Sequence, residues 1–541
     1  MSESTIGSRA EIPASSRPDM SGGNKPLHVA LFFIVLFGAL GFAAFSILRD
    51  MHSVGEGALA TGTFVMLGIA LIIALAFEFV NGFHDTANAV ATVIYTRSLP
   101  PLVAVIWSGF WNFLGVALST GAVAYSIVTL LPVELILQAG SSAGYAMIFA
   151  LLIAAIVWNL ITWAFGIPNS SSHALVGSIM GVGLANQLMS PTGAATQGVD
   201  WGQVEKVCAS LLFSPICGFV MAGALLLVMK LVVRNKALYQ APEGDTPPPL
   251  WIRALLIFTC TGVSFSHGGN DGQKGMGLIM LILIGAAPTA YALNRAMPES
   301  AMPAFIQSSS EAEKIFLTHV PNRSTTLTAE NAREIVGAGL RAKSIASSET
   351  YDALAVLSDD ISTSVKTYGS MKAVPAAAVP NVRTDMYLVA DAIRVMGEAK
   401  GFTPAETKSL KSFQSELYHG TRFIPLWVKI SVAIALGLGT MVGWKRIVVT
   451  VGEKIGKTHM TYAEGASAEI VAMTTIGLAE GYGMPVSTTH ILSSGVAGTM
   501  AANGSGIQLS PLRSMALAWV TTLPAAMAIA GILYVLFRQI F

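Results

Sequence analysis

The chain has 541 residues, 53% of them hydrophobic and only 12% charged, with a net charge of +1 and a mean hydropathy of +0.61. Soluble globular chains carry about 25% charged residues, so the balance excludes an ordinary soluble enzyme and points to an all-α polytopic membrane protein. The near-neutral charge leaves no nucleic-acid footprint. The three cysteines, Cys208, Cys217 and Cys260, lie singly in apolar surroundings, which argues against a zinc or disulfide framework.

Residues 1–26 are polar and bear Ser, Pro and Gly, the composition of a disordered tail. The first apolar run, 27–48, is long enough to span a bilayer and too long for a cleavable leader, so it reads as an extra transmembrane helix. A first transmembrane repeat follows over 60–233, with spans at 60–80, 101–121, 145–165 and 204–233. A second begins at 251–293, with spans at 251–265 and 275–293, and resumes at 423–541, with spans at 423–443, 465–480 and 512–537. Short, small-residue stretches at 122–132, 174–189 and 491–502 fit half-helices or hairpin arms. The total is about ten to thirteen membrane elements.

Residues 294–422 differ in kind. They carry both charge signs, with helical patterning at 329–346 and 382–399 and an Ala/Val/Pro linker at 371–380, and read as a soluble, partly helical insertion. Lys230, Arg234, Lys236 and Arg253 in one short connection, and Lys445, Arg446, Lys454 and Lys457 in another, read as cytoplasmic. The insertion is expected on the same side.

Four polar strings interrupt the apolar pattern, as two matched pairs. Asn81-Gly-Phe-His-Asp85-Thr-Ala-Asn88 pairs with His267-Gly-Gly-Asn-Asp271-Gly-Gln-Lys274, and Pro168-Asn-Ser-Ser-Ser-His173 pairs with Pro485-Val-Ser-Thr-Thr-His490. Asp271 follows Asp85 by 186 residues, and His490 follows His173 by 317. The difference, 317 − 186 = 131, is about the length of the insertion. Such polar groups at membrane depth imply a site. Their duplication implies a site between two related halves.

Glu78, Asn81, Asp85 and Asn88 fall on one helical face as a stripe of oxygen ligands. The stripe suits a hard cation or an exchangeable proton. Amide bonding between helices is the ordinary alternative for Asn81 or Asn88 alone. The second string puts Lys274 where the first has Asn88. An ammonium cannot ligate a metal, but it can pair with Asp271 or meet an anionic substrate. The Pro168 and Pro485 strings carry helix-start signals, where N–H groups and hydroxyls converge on an anion. His84, His173, His267 and His490 can shuttle protons or orient neighbours, the second role being expected for His173 and His490.

These strings closely resemble the PiT family of inorganic phosphate transporters, in particular the bacterial low-affinity type. Gly82-Phe-His-Asp-Thr-Ala-Asn-Ala89 and Gly268-Gly-Asn-Asp-Gly-Gln-Lys-Gly275 are similar to the family's Gly-Ala-Asn-Asp-Val-Ala-Asn-Ala motif, once per half. The paired Pro-x-Ser-Ser/Thr-Ser/Thr-His strings and Gly452-Glu-Lys-Ile-Gly-Lys457 match as well. The resemblance covers about residues 60–295 and 423–541 and leaves out the 27–48 helix and the insertion.

It implies two inverted repeats, a homodimer in the lipid of a bacterial inner membrane, and secondary active import of inorganic phosphate. It implies a phosphate site of Asp85, Asp271, Ser171, Ser172, Thr488 and Thr489, with Lys274 positioned to join it. It implies coupling-cation ligands among Asn81, Asp85, Asn88, Asn270 and Asp271, with Glu78 on the same face as the first three. Lys274, a fixed charge where a symmetric sodium site needs an oxygen, favours proton coupling over sodium, with phosphate entering alone or as a neutral divalent-metal complex. No other cofactor is implied. Sodium symport is the alternative. A divalent-metal carrier or an intramembrane hydrolase on Asp85 and His84 fits less well, for the first needs no helix-start hydroxyls and the second shows neither HExxH nor GxSxG.

Overall fold

A computed structural model describes residues 18, 20, 26–55, 61–85, 87–131, 140–189, 199, 201–244, 246–321, 326–342, 344–397 and 401–541. The expected tail, 1–26, falls almost wholly outside the described residues. Those residues form helices and connections, the arrangement that satisfies backbone N–H and C=O groups within each segment where water is absent. Seven of the described helices are long and apolar enough to cross a membrane, or eight if the bent pair Pro404–Thr421 and Leu426–Thr440 is one span.

The chain starts with α1 (Pro26–Ser53). Next come α2 (Thr61–Asp85) and α3 (Ala87–Tyr95), which carry the first Asp string, then α4 (Pro101–Leu118) and the short α5 (Ala122–Val128). α6 (Ser142–Ala164) and α7 (Ser171–Met189) are the arms of a first hairpin, followed by the long α8 (Trp201–Val232). α9 (Leu250–Ala286) carries the second Asp string. α10 (Met302–Thr318), α11 (Ala329–Arg341), α12 (Ser348–Tyr368), α13 (Val379–Met396) and α14 (Pro404–Thr421) build the insertion around a core of its own that includes Phe305, Phe316, Leu357 and Phe413. α15 (Leu426–Thr440) re-enters the bundle. α16 (Tyr462–Gly481) and α17 (Thr488–Asn503) form a second hairpin, and α18 (Leu509–Ile540) closes the chain.

The halves pack reciprocally. α7 lies on α18, where a Cβ at Gly181 would sit 2.1 Å from the Met527 carbonyl oxygen. α17 lies on α8, where a Cβ at Gly498 would sit 2.0 Å from the Phe219 oxygen. The two glycines are 317 positions apart, the spacing that also separates the Pro168 and Pro485 strings, and the same close backbone approach occurs at both.

Two expectations need correcting. The separate spans at 251–265 and 275–293 are one continuous helix, α9. Hydropathy dips over 264–274, but Ser264, His267, Asn270, Asp271, Gln273 and Lys274 are all buried against protein rather than lipid. α9 is about 55 Å long at 1.5 Å per residue. The 233–249 connection adjoins its first residue and the insertion follows its last, so they lie at opposite ends and cannot both be cytoplasmic. The reason is that Lys/Arg counting judges short loops and does not reach a segment as long as the insertion.

Candidate functional site

The two hairpin tips are built alike. The His173 N–H donates to Ser170 Oγ at 3.2 Å, and the His490 N–H to Ser487 Oγ at 3.2 Å. Serine is thus the N-cap of α7 and of α17, because its oxygen takes a helix-start N–H that has no partner within the helix. Pro168 and Pro485 lie three residues before the first helical turns rather than in them. Proline fixes φ but offers no capping oxygen, so it shapes the approach to the helix.

The tips meet. Ser172 Oγ donates to the Val486 carbonyl at 2.9 Å. The Trp519 indole N–H of α18 donates to the Pro168 carbonyl at 3.2 Å, while its ring lies 4.2 Å from that of His490. His490 in turn lies 4.7 Å from the ring of His173. Asn270 is expected among the cation ligands, yet its amide N–H donates to the Met484 carbonyl at 3.1 Å and its oxygen accepts from the Val486 N–H at 3.5 Å. It latches the second tip to α9.

Between the tips sit the two aspartates. Asp85 Oδ1 accepts from His84 Nδ1 at 2.9 Å and from Thr489 Oγ1 at 2.8 Å, and Oδ2 accepts from Ser171 Oγ at 2.5 Å. Its donors therefore come from α2 and from both hairpins. Ser171 Oγ also lies 3.4 Å from Asp271 Oδ2. Lys274, fully buried, places Nζ 2.8 Å from Asp271 Oδ1 and donates to Ser172 Oγ at 2.5 Å. Asn88 Nδ2 donates to Thr489 Oγ1 at 3.0 Å. The first stripe is split in space: Glu78 turns to α9, accepting from the Gly275 N–H at 2.7 Å and from Asn81 Nδ2 at 3.4 Å. Thr488 Oγ1, Asn81 Oδ1 and Asn88 Oδ1 are buried with no hydrogen-bond partner among the described residues.

His267 Nδ1 lies 2.7 Å from Asn112 Oδ1, and the Asn112 amide N–H donates to the Ser108 carbonyl at 3.0 Å. An amide oxygen only accepts, so this assignment puts the His267 proton on Nδ1. Nε2 then offers a lone pair, 3.5 Å from Asp271 Oδ2. Asp85, His267 and Asp271 can each present one ligand atom, all within 4.8 Å of one another. Two carboxylates and an imidazole suit a divalent cation whose remaining positions are filled from solution or substrate.

Sequence reasoning left the role of His267 open and passed over Asn112, which orients it. It also passed over Glu469 on α16, buried and accepting hydrogen bonds from Thr92 and Thr259. The signal for Glu469 was available: it is an acid inside the apolar stretch 465–480.

Residues 81–530 match the Phosphate transporter family. The chain belongs to that family. It is 41% identical over 494 residues to the low-affinity inorganic phosphate transporter PitA of Escherichia coli (strain K12), covering 89% of this chain and 98% of the relative. It is 40% identical over 494 residues to PitB of the same strain, covering 88% and 98%. A probable low-affinity inorganic phosphate transporter of Bacillus subtilis (strain 168) is 27% identical over 474 residues, covering 87% and 97%. A solved structure described as the sodium-dependent phosphate transporter is similar at TM-score 0.49 and 21% identity, covering 88% of this chain and all of that one. As a member of the phosphate transporter family, the chain is a multi-pass membrane transporter rather than an enzyme, and its substrate is phosphate. The match extends from α2 to α18, which include the helices that carry Asp85 and Asp271 and both hairpin tips.

Proposed function

We propose that this phosphate transporter is a proton-coupled importer in the bacterial inner membrane. The observation that carries the reading is the double use of hairpin hydroxyls: Ser171 and Thr489, one from each tip, both donate to Asp85. A hydroxyl has one proton to donate. Neither can serve ionised Asp85 and a phosphate oxygen at once. Protonating Asp85 weakens its demand as an acceptor and frees both hydroxyls for the anion, so proton and phosphate enter the site together. Lys274, already on Asp271 and Ser172, adds a fixed positive charge at the second half.

In this reading phosphate contacts Ser171, Ser172, Thr488, Thr489 and Lys274, beside Asp85 and Asp271. Glu78, Asn81 and Asn88 support the coupling ion. The reciprocal packing of α7 on α18 and α17 on α8 supports two inverted repeats, and the family resemblance supports a homodimer. The basic 230–253 and 444–461 connections favour a cytoplasmic position for their end of the bundle, which puts the insertion on the periplasmic side. The donor set of Asp85, His267 and Asp271 favours one refinement, that phosphate also enters as a divalent-metal complex, the metal being cargo.

Asp85→Asn tests the coupling. The neutral amide imitates a protonated carboxyl. The variant is expected to exchange phosphate across proteoliposome membranes without accumulating it in response to a pH gradient. Gradient-driven accumulation by Asp85→Asn would overturn the proposal.

A further inference from the structure

The insertion meets the bundle at a small cavity. Its walls are Tyr125 of α5, Arg383 and Tyr387 of α13, Tyr418 of α14, Arg422 just beyond it, and the α9 face that carries Met280 and Ile284. The space open to the centre of a water-sized sphere is about 50 Å³. On that measure one water needs about 10–15 Å³, so the cavity has room for a few waters or one tetrahedral oxyanion.

The two guanidinium groups set this cavity apart. Arg422 lies 3.4 Å over the Tyr418 ring and 5.3 Å from that of Tyr125, and Arg383 lies 5.9 Å from the Tyr387 ring. Among the described residues neither has a carboxylate within ion-pair distance. Arg333 and Arg394 of the insertion do. Arg333 reaches Asp385 at 2.5 Å, and Arg394 reaches Asp391 at 2.7 Å. Burial lowers the Arg383 guanidinium from its ordinary value, as expected of a cation short of a counter-charge. Guanidinium forks match phosphate oxygens two at a time, and aromatic stacking holds the fork in place before any ligand arrives. Gly277, at the inner edge of the cavity, is three residues along α9 from Lys274, so the cavity and the central site share one rigid helix.

We propose that Arg383 and Arg422 form a second oxyanion site, at the seam of insertion and bundle, that takes a phosphate group. Its role as an outer capture site for the substrate rests on the transport reading, but its binding does not. Inorganic phosphate and the head group of an anionic phospholipid share the recognised chemistry.

The test is phosphate binding to the purified full chain, by calorimetry in detergent free of lipid, alongside binding of phosphatidylglycerol nanodiscs. Arg383→Gln/Arg422→Gln is expected to lower bound phosphate by one per chain and to raise the half-saturation of uptake about tenfold at unchanged maximal rate. Lys274→Met is expected to remove the other, central phosphate. If the double variant loses phosphatidylglycerol and no free phosphate, the site stands with lipid as its source. If the transport reading fails, the phosphate removed by the arginine variant still binds. Unchanged binding of both ligands in a folded double variant overturns the proposal. Arg383→Lys/Arg422→Lys, which keeps charge without the fork, guards against misfolding: it should fold as the parent does and recover binding in part.

Discussion

Lys274→Asn converts the second Asp string toward the first and removes a fixed charge from the site. In the structure Nζ is 2.8 Å from Asp271 Oδ1 and 2.5 Å from Ser172 Oγ. A phosphate oxygen two hydrogen-bond lengths away, between the tips, would lie roughly 5 Å from Nζ. At an effective dielectric of about 20, a unit charge pair at that distance is worth about 3 kcal/mol. Each 1.4 kcal/mol is a factor of ten, so half-saturation for phosphate should rise by about two orders of magnitude. Asp271, left without its cation, must take up a proton or another ion, and asparagine supplies an oxygen ligand to help. Uptake by the variant should therefore become sensitive to sodium. The assay is labelled phosphate uptake into proteoliposomes at a fixed pH gradient, with and without sodium. Lys274→Arg serves as the charge-retaining control, and thermal unfolding in detergent as the check on folding. A folded Lys274→Asn protein with parental half-saturation and no sodium response would refute the reasoning.

Ser171→Ala removes the charge-assisted hydrogen bond that this hydroxyl gives the phosphate once Asp85 is protonated, worth about 1.5–3 kcal/mol. The phosphate half-saturation of uptake should rise roughly ten- to hundredfold, while Ser210→Ala, whose hydroxyl donates to the Pro485 carbonyl outside the aspartate cluster, changes it little. Gly275→Ala would place its methyl 2.3 Å from Glu78 Oε1, forcing α2 and α9 apart. A loss of about 1–3 kcal/mol is expected for such overpacking, read as a lower unfolding temperature. Gly481→Ala, with nothing within 4 Å of the new Cβ, should unfold as the parent does.

Much of this was legible in the sequence because the polar strings stand out against an apolar background. Asp85, Asp271, Ser171, Ser172, Thr489 and Lys274, all drawn from those strings, meet in the structure. Other features were hidden for physical reasons. The continuity of α9 was invisible because a hydropathy window prices buried polar groups as if they faced lipid. The latch made by Asn270 and the orientation of His267 by Asn112 depend on contacts between residues more than a hundred positions apart. The side of the insertion could not be read from its own charges, since the rule that orients short loops does not reach it. The single helix α9 separates it from the basic connections, a relation that only the structure displays.

The most direct measurement is initial phosphate uptake in proteoliposomes with the pH gradient, sodium and magnesium varied independently. Uptake should follow the pH gradient, persist without sodium, and rise with magnesium if the metal complex is carried. Uptake that requires sodium and ignores the pH gradient would contradict the coupling proposed for Asp85 and Lys274.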